Sequence, residues 1–461
     1  MLLRQTRLLV SHALPMLIAQ LAGMAMMIVD TVLLGHFGTD DLAAVAVGGG
    51  IYVAVLFALA GIVQAVGPIV AQHYGARREA AIAPALRQAF WLALLLMLPG
   101  VALMLHPGAL LSLSPIEPTV AAKVRAYLTI LAIGMPAVLM HRAFYSFCNA
   151  VGQPRALMTI SLFAGALHCF LAWLLVSGRW GGEGLGVVGC GIANAVAGWV
   201  AFLCALAYLR FASAMAPFRL FAHWEWPHWP ALRELLRLGL PMGFSSFVEI
   251  SAFTFIALFV AQLGAAVVAA HRIVANLAAV VYMLPLALAI ATLAQVGQAV
   301  GARDARRARL SITAGLLLAG GLSTALGVIL WLLATPLVEA YTSDVRVQVT
   351  ALGLIGWLAL YQVFDAVQTI AAFALRAYKI TLTPMIVHVL CFWGVGLGGG
   401  WWLAFRGATP LGVAGFWIAS LLSLVFAALL LGGLLWRAVV RARREAEQTL
   451  MADGTAVSPH P

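Results

Sequence analysis

The chain has 461 residues, of which 64% are hydrophobic and only 9% are charged, and its mean hydropathy is +1.02. Soluble domains carry about 25% charged residues, so this composition excludes a water-solvated fold and indicates an integral membrane protein. The net charge of +11 does not predict nucleic-acid binding, because the basic residues cluster at the ends of apolar segments, as in membrane proteins.

Twelve apolar segments are long enough to cross a bilayer, since a hydrocarbon core of roughly 30 Å takes about 20 helical residues. In chain order they are 9–34, 43–70, 86–105, 121–148, 156–177, 186–209, 239–262, 267–300, 310–334, 350–376, 382–404 and 410–436. The first segment lacks a small-residue cleavage site, so we expect a membrane helix there and not a removable signal peptide. The predicted fold class is all-α integral membrane, with lipids as its surroundings.

The basic residues lie mainly on one side of this twelve-helix arrangement. Twenty of the 27 lysines and arginines fall on the side that carries both termini, and two, Arg142 and Arg272, fall inside helices. The remaining five, on the opposite side, are Lys123, Arg125, Arg179, Arg346 and Arg406. By the positive-inside rule, we predict a multi-pass protein of a bacterial-type inner (plasma) membrane with both termini in the cytoplasm.

The sequence repeats itself at a constant offset of 226 residues. Leu14-Pro15-Met16 matches Leu240-Pro241-Met242, and Gly75-Ala76-Arg77 matches Gly301-Ala302-Arg303. Each half holds six helices, so both halves have the same topology and should be related by a pseudo-twofold axis along the membrane normal. The predicted domains are an N-terminal six-helix lobe (1–209), a cytoplasmic linker (210–238), a C-terminal six-helix lobe (239–440) and a disordered cytoplasmic tail (441–461).

Three of the 16 acidic residues, Asp30, Glu249 and Asp365, lie well inside apolar segments. A charged side chain at the bilayer centre costs about 2.5–3.5 kcal/mol on insertion scales, so each should face an internal cavity, find a partner or take up a proton. Burial favours the protonated form of a carboxyl group. These residues therefore predict a site at which protons and cationic substrates compete.

Other polar residues share helix faces with these carboxylates. The residues one turn away are Tyr361, Gln368 and Thr369 around Asp365, and Ser245 and Ser246 before Glu249. Residues three or four apart lie on one face of a helix. We expect Gln368, Ser245 and Ser246 to modulate the site, and aromatic Tyr361 to suit a desolvated cation.

Two further intramembrane residues leave alternatives open. Arg272 either anchors its helix at the interface or pairs with Glu249 or Asp365. If it pairs, it neutralises one carboxylate, which favours a proton over a sodium ion bound at Glu249 and Asp365, because sodium needs several oxygen ligands. His168 is either an internal histidine with a structural partner or a proton relay.

Motifs for other chemistry are weak. Residues 184–189 fit Gly-x-Gly-x-x-Gly but lack the preceding strand and the later acidic residue of a dinucleotide site, so close helix packing explains them better. There is no Gly-x4-Gly-Lys loop, and no His/Cys/carboxylate cluster points to a transition metal. We expect no cofactor and no enzymatic activity.

At these residues the sequence resembles the multidrug and toxic compound extrusion (MATE) exporters, specifically the NorM-like branch. The most specific stretches are Pro15 to Gly38, Pro241 to Glu249, and Tyr361 to Asp365 running on to Lys379. The resemblance implies exchange of protons or sodium for small organic, mostly cationic compounds. It assigns cation coupling to Asp30, Glu249, Asp365 and Tyr361, and a helix bend to Pro15.

The chain departs from the family pattern at three positions. His168 and Ala172 stand where two asparagines are expected, and Arg272 stands where relatives commonly have glutamine. The alternatives to a monomeric drug exporter are a lipid-linked saccharide flippase of the same superfamily and a non-transport membrane protein. A flippase usually lines its cavity with several cationic residues, whereas only Arg142 and Arg272 lie within the predicted helices here.

Overall fold

The computed structural model describes residues 1–111, 117–179, 181–223, 225–407 and 409–454. All the regular structure in these ranges is helical, and twelve helices are long and apolar enough to cross a membrane. Each predicted segment falls on one of them, which confirms the fold class and the helix count. The twelve are α1 (Leu2–Phe37), α2 (Thr39–Gly75), α3 (Glu79–Leu105), α4 (Pro118–Ala150), α5 (Pro154–Val176), α6 (Gly186–Phe211), α7 (Trp229–Leu263), α8 (Ala265–Gly301), α9 (Ala305–Leu332), α10 (Val345–Ala377), α11 (Leu382–Arg406) and α12 (Val413–Glu445).

Some of these helices are irregular. The α-helical hydrogen bonding of α2 is interrupted between Thr39–Val63 and Val66–Gly75. Only Leu382–His388 of α11 is α-helical, and the wider π form follows over Val389–Gly399 and Trp402–Arg406. Such segments are often found at functional sites. The shorter elements between the spans are Gly108–Leu111, the 3₁₀ helix Ser213–Phe218 and Ala334–Tyr341.

The repeated Gly-Ala-Arg motif has the same backbone conformation in both halves. Arg77 follows α2 with φ 55°, and Arg303 follows α8 with φ 57°. This left-handed conformation commonly ends a helix but is unfavourable for a residue with a side chain. The two copies therefore end equivalent helices in the same way.

By its contacts the chain divides into two compact units. The C-terminal unit comprises Met1–Leu14, Tyr74–Arg77 and the chain from Ser245 onward, and the N-terminal unit comprises Pro15–His73 and Arg78–Phe244. The predicted lobes differ from these units because the start of α1 and the end of α2 pack in the C-terminal unit. The Gln5 Nε2 donates a hydrogen bond of 2.7 Å to Ser311 Oγ. A Cβ added to Gly75 would lie 1.9 Å from the Gln298 carbonyl oxygen, so only glycine fits there.

The last helix is longer than the sequence indicates. Helical structure continues from Val413 to Gly454, past residue 441, at which the predicted disordered tail begins. The Arg441 Nε donates to Glu445 Oε1 at 2.9 Å, and such a pair one turn apart supports a helix. Residues 455–461 of the predicted tail lie outside the described residues.

The linker packs against α3 within the N-terminal unit. Arg87 Nη1 forms an ion pair of 2.7 Å with Glu225 Oε1, and the rings of Trp91 and Trp226 stack with centroids 6.0 Å apart. Gln88 accepts a hydrogen bond from the His228 backbone N–H. The connector between the halves is therefore anchored to one helix; its Trp224 lies outside the described residues.

Candidate functional site

A polar network lies inside the C-terminal unit, built from α7, α8 and α10. The Tyr282 hydroxyl is within hydrogen-bonding reach of Glu249 and of Thr369. Gln368 Nε2 donates to Asp365 Oδ1 and to Thr369 Oγ1, each at 3.0 Å. The network thus connects the two carboxylates that the sequence singles out.

The geometry of α10 explains how these side chains come together. Asp365, Gln368 and Thr369 are spaced by one turn, so one face of the helix carries all three. Their exposed fractions are only 4%, 2% and 2%. Gln368 Oε1 is buried and has no hydrogen-bond partner among the described residues. This face therefore presents oxygen atoms in a site withdrawn from solvent.

Arg376 of α10 is a cation that interacts electrostatically with Glu249, although it forms no ion pair with a carboxylate among the described residues. Glu249 and Asp365 repel each other electrostatically, while Arg376 attracts Glu249. The guanidinium of Arg376 lies over the Phe373 ring, 4.3 Å from its centroid. Sequence reasoning missed this role because it counted Arg376 among the cations at helix ends. The signal was present: Arg376 follows Asp365 by about three helical turns, which places both on one face.

Arg272 is not brought to the carboxylates. It is exposed, and it forms no ion pair with any carboxylate in the part of the chain that the structure describes. Its neighbour His271 is buried instead, with its ring 5.8 Å from that of Trp417. Because successive helical residues point about 100° apart, burial of His271 turns Arg272 away. The inward pairing considered for Arg272 is therefore not found.

Tyr361 occupies an aromatic environment next to the network. It is 4% exposed, and its ring meets those of Phe253 and Trp417 edge to face at 6.4 and 5.9 Å. A cavity beside it is also lined by Phe392 and by the hydroxyl-bearing Ser420 and Ser423. Aromatic faces of this kind attract organic cations. In α7, Ser245 is buried and Ser246 half-buried, one turn before Glu249.

The third carboxylate has its own site, inside the N-terminal unit. Asp30 of α1 is 7% exposed, and its Oδ1 lies 2.8 Å from Nε2 of His168, which is completely buried in α5. The Cys190 thiol of α6 hydrogen-bonds to Asp30, and Tyr127 of α4 interacts with it electrostatically. The structure thus gives His168 a carboxylate partner, which the sequence left undecided.

Two glycines hold Tyr127 in place. A Cβ at Gly48 would lie 2.9 Å from Tyr127 Cδ1, and one at Gly191 would lie 3.1 Å from its Cδ2. The ring is therefore wedged between α2 and α6, and a side chain at either glycine would displace it. This packing fixes one wall around Asp30.

Pro15 is buried within a continuous α1. Proline removes one backbone hydrogen bond of a helix, and the boundary between the two units falls between Leu14 and Pro15. The helix-bend role assigned to Pro15 remains a prediction.

These arrangements can bind protons or a single cation through oxygen atoms. Among the described residues no three His, Cys, Asp or Glu side chains are grouped as a metal site. In the C-terminal unit the oxygen atoms available to a cation belong to carboxylates, hydroxyls and an amide. In the N-terminal unit the carboxylate is surrounded by hydrogen donors. The two units therefore offer chemically different sites.

Comparison with known proteins places this architecture among transporters. The profile of the MatE family matches residues 15–174 and 241–402, and the two matches start 226 residues apart, the offset of the internal repeat. A probable multidrug resistance protein NorM of Aromatoleum aromaticum is 53% identical over 93% of both chains. One of Chromobacterium violaceum is 39% identical over 95% of both. The crystal structure of a eukaryotic MATE transporter superimposes with a TM-score of 0.87 at 20% identity, covering 96% of this chain and 99% of that one.

Proposed function

This chain belongs to the MatE family of multi-pass membrane transporters, and we propose that it is a secondary active multidrug exporter of the bacterial inner membrane. It exchanges protons or sodium ions for small organic, mostly cationic compounds by alternating access. The names of the bacterial relatives, which are probable multidrug resistance proteins, support export of drugs.

The observation that carries the coupling proposal is the network of Glu249, Tyr282 and Asp365 in membrane-spanning helices. Two carboxylates that repel each other inside an apolar protein are costly to keep ionised, and a bound cation or proton removes that cost. Substrate and coupling ion then compete for one site, which is the basis of exchange.

We favour the proton as the coupling ion. Arg376 offsets the charge of Glu249, so the network carries about one net negative charge when both carboxylates are ionised. A proton needs only one carboxylate, whereas a hard metal cation needs several oxygen ligands and is repelled by the guanidinium. Arg376 would thus have the charge-offsetting effect that the sequence suggested for Arg272.

Transport in proteoliposomes tests the proposal. Purified protein is reconstituted with a fluorescent cationic dye, and a proton gradient and a sodium gradient are imposed separately. We expect dye movement with the proton gradient in sodium-free buffer. Movement that requires sodium contradicts proton coupling, and no movement under either gradient contradicts cation-coupled export.

A further inference from the structure

The pair of Asp30 and His168 lies deep within the N-terminal unit and has no counterpart in the C-terminal network. His168 is completely buried, and its Nε2 lies 2.8 Å from Asp30 Oδ1. In the described part of the chain no lysine, arginine or second carboxylate forms an ion pair with either residue. With an ionised Asp30 and a neutral imidazole, the pair carries one uncompensated negative charge.

The hydrogen bonds of the pair indicate where a proton goes. An ionised carboxylate only accepts hydrogen bonds, so Nε2 of His168 must carry the hydrogen that it donates to Asp30. The second ring nitrogen, Nδ1, is buried and has no hydrogen-bond partner among the described residues. Nδ1 is therefore the ring atom at which a proton is taken up.

The competing location for the proton is Asp30 itself. The Cys190 thiol also hydrogen-bonds to Asp30, so both of these partners donate hydrogen to the carboxylate and leave no acceptor for a carboxyl O–H. An ordinary imidazole also binds a proton more tightly than an ordinary aspartate, with reference pKa values of about 6.5 and about 3.9. Both considerations place the proton on the histidine.

The titratable groups that interact with the pair itself are neutral: Tyr127 on α4, Cys190 on α6 and Cys169 beside His168 on α5. Behind Tyr127 lie Tyr52 on α2 and the cationic Arg142 on α4, which interacts with Tyr52. A sodium ion would have to displace the N–H and S–H donors that face Asp30, because it needs oxygen ligands. The site therefore suits a proton and not a metal cation.

We propose that His168 is the proton-binding residue of the N-terminal unit, with Nδ1 as the acceptor and Asp30 as its fixed counter-ion. Uptake converts the imidazole to an imidazolium and brings the pair to zero net charge, and release restores the single negative charge. This rests on the proposed function, because a proton that cycles here contributes to export only if the chain is a proton-coupled transporter.

Nitrogen NMR on protein labelled with ¹⁵N-histidine tests the assignment directly. The chain has 11 histidines, so the His168 signal is identified by its loss in His168→Gln, or in His168→Asn if that variant folds better. We expect both ring nitrogens of His168 to carry a proton at the acidic end of the pH range over which the protein stays folded. A His168 ring that stays neutral over this range overturns the proposal and leaves the proton on Asp30.

Proton counting provides the second readout. Tetraphenylphosphonium is added to detergent-solubilised protein in weak buffer, and released protons are measured with a pH indicator dye. His168→Gln keeps an amide N–H for Asp30 but has no proton site, so it should release about one proton fewer per bound cation. The matched control is His141→Gln, which changes a histidine of the same unit that pairs with no carboxylate among the described residues, and it should release as many as the wild type.

The two experiments separate the two possible failures. Equal proton release from wild type and His168→Gln contradicts the role of His168 even if export is normal. A wild-type His168 that titrates in a protein that exports no dye contradicts the proposed function and leaves the proton site in place.

Discussion

One end of the N-terminal unit depends on a buried carboxylate, Asp41, and its removal should destabilise the protein. Asp41 is 5% exposed at the start of α2. Its Oδ1 accepts a hydrogen bond of 2.9 Å from the backbone N–H of Val187, and its Oδ2 forms an ion pair of 2.5 Å with Lys123 Nζ. One side chain thus joins α2, α4 and the start of α6.

The contacts allow the cost of Asp41→Ala to be worked out. The N–H of Val187, a residue only 1% exposed, would lose its acceptor, and an unsatisfied buried donor costs about 1–3 kcal/mol. Lys123 is 37% exposed, so its ion pair contributes no more than about 1 kcal/mol after screening by solvent. An acidic residue in the first turn of a helix adds about 0.3–1 kcal/mol. We therefore expect Asp41→Ala to cost about 1–5 kcal/mol, most of it from the unsatisfied N–H of Val187.

Thermal unfolding in detergent compares the stability of the variants with that of the wild type. Asp41→Asn retains an oxygen acceptor for Val187 and loses only the charge, so it should unfold between Asp41→Ala and the wild type. The neighbouring Asp40 lies in the same first turn but forms no ion pair among the described residues, so Asp40→Ala should lose only the interaction with the helix dipole, no more than about 1 kcal/mol. If Asp41→Ala and Asp40→Ala unfold at the same temperature, Asp41 does not hold these helices together.

Three further predictions concern transport and topology. Asn or Gln variants of Asp30, Glu249 and Asp365 should purify normally, and their rate of dye efflux should fall at least about tenfold. Normal efflux from all three variants at equal expression would show that the carboxylates are structural. Arg376→Gln should increase the sodium dependence of transport, because it removes the cation that interacts with Glu249. Arg272→Gln, which changes an exposed residue, should not. Equal ion preference in both variants would contradict a role for Arg376. Reporter fusions after Lys379 and at the C-terminus should be cytoplasmic and a fusion near Glu339 external, and a periplasmic C-terminus would refute the topology.

The amino-acid sequence alone determined the twelve helices, the repeat and the three carboxylates. Lipid cannot hydrogen-bond to the backbone, so any chain with segments of this length and composition must cross the membrane as helices. A charged side chain is costly in the same lipid surroundings, so the sequence alone identifies Asp30, Glu249 and Asp365 as candidate functional residues. Helix ends were less well determined: α12 continues beyond residue 441 because its polar extension still forms helical contacts.

Only the tertiary structure decided which side chains meet. His168 and Asp30 are 138 residues apart, and nothing in either segment indicates that α1 and α5 bring them within hydrogen-bonding distance. The sequence singles out Arg272 as a partner for the carboxylates, but α8 buries its neighbour His271 and turns Arg272 away. The cation that interacts with Glu249 is Arg376 of α10. The orientation of a helix about its own axis depends on the helices packed against it, and in a chain that is apolar on nearly every face the sequence pattern does not reveal that orientation.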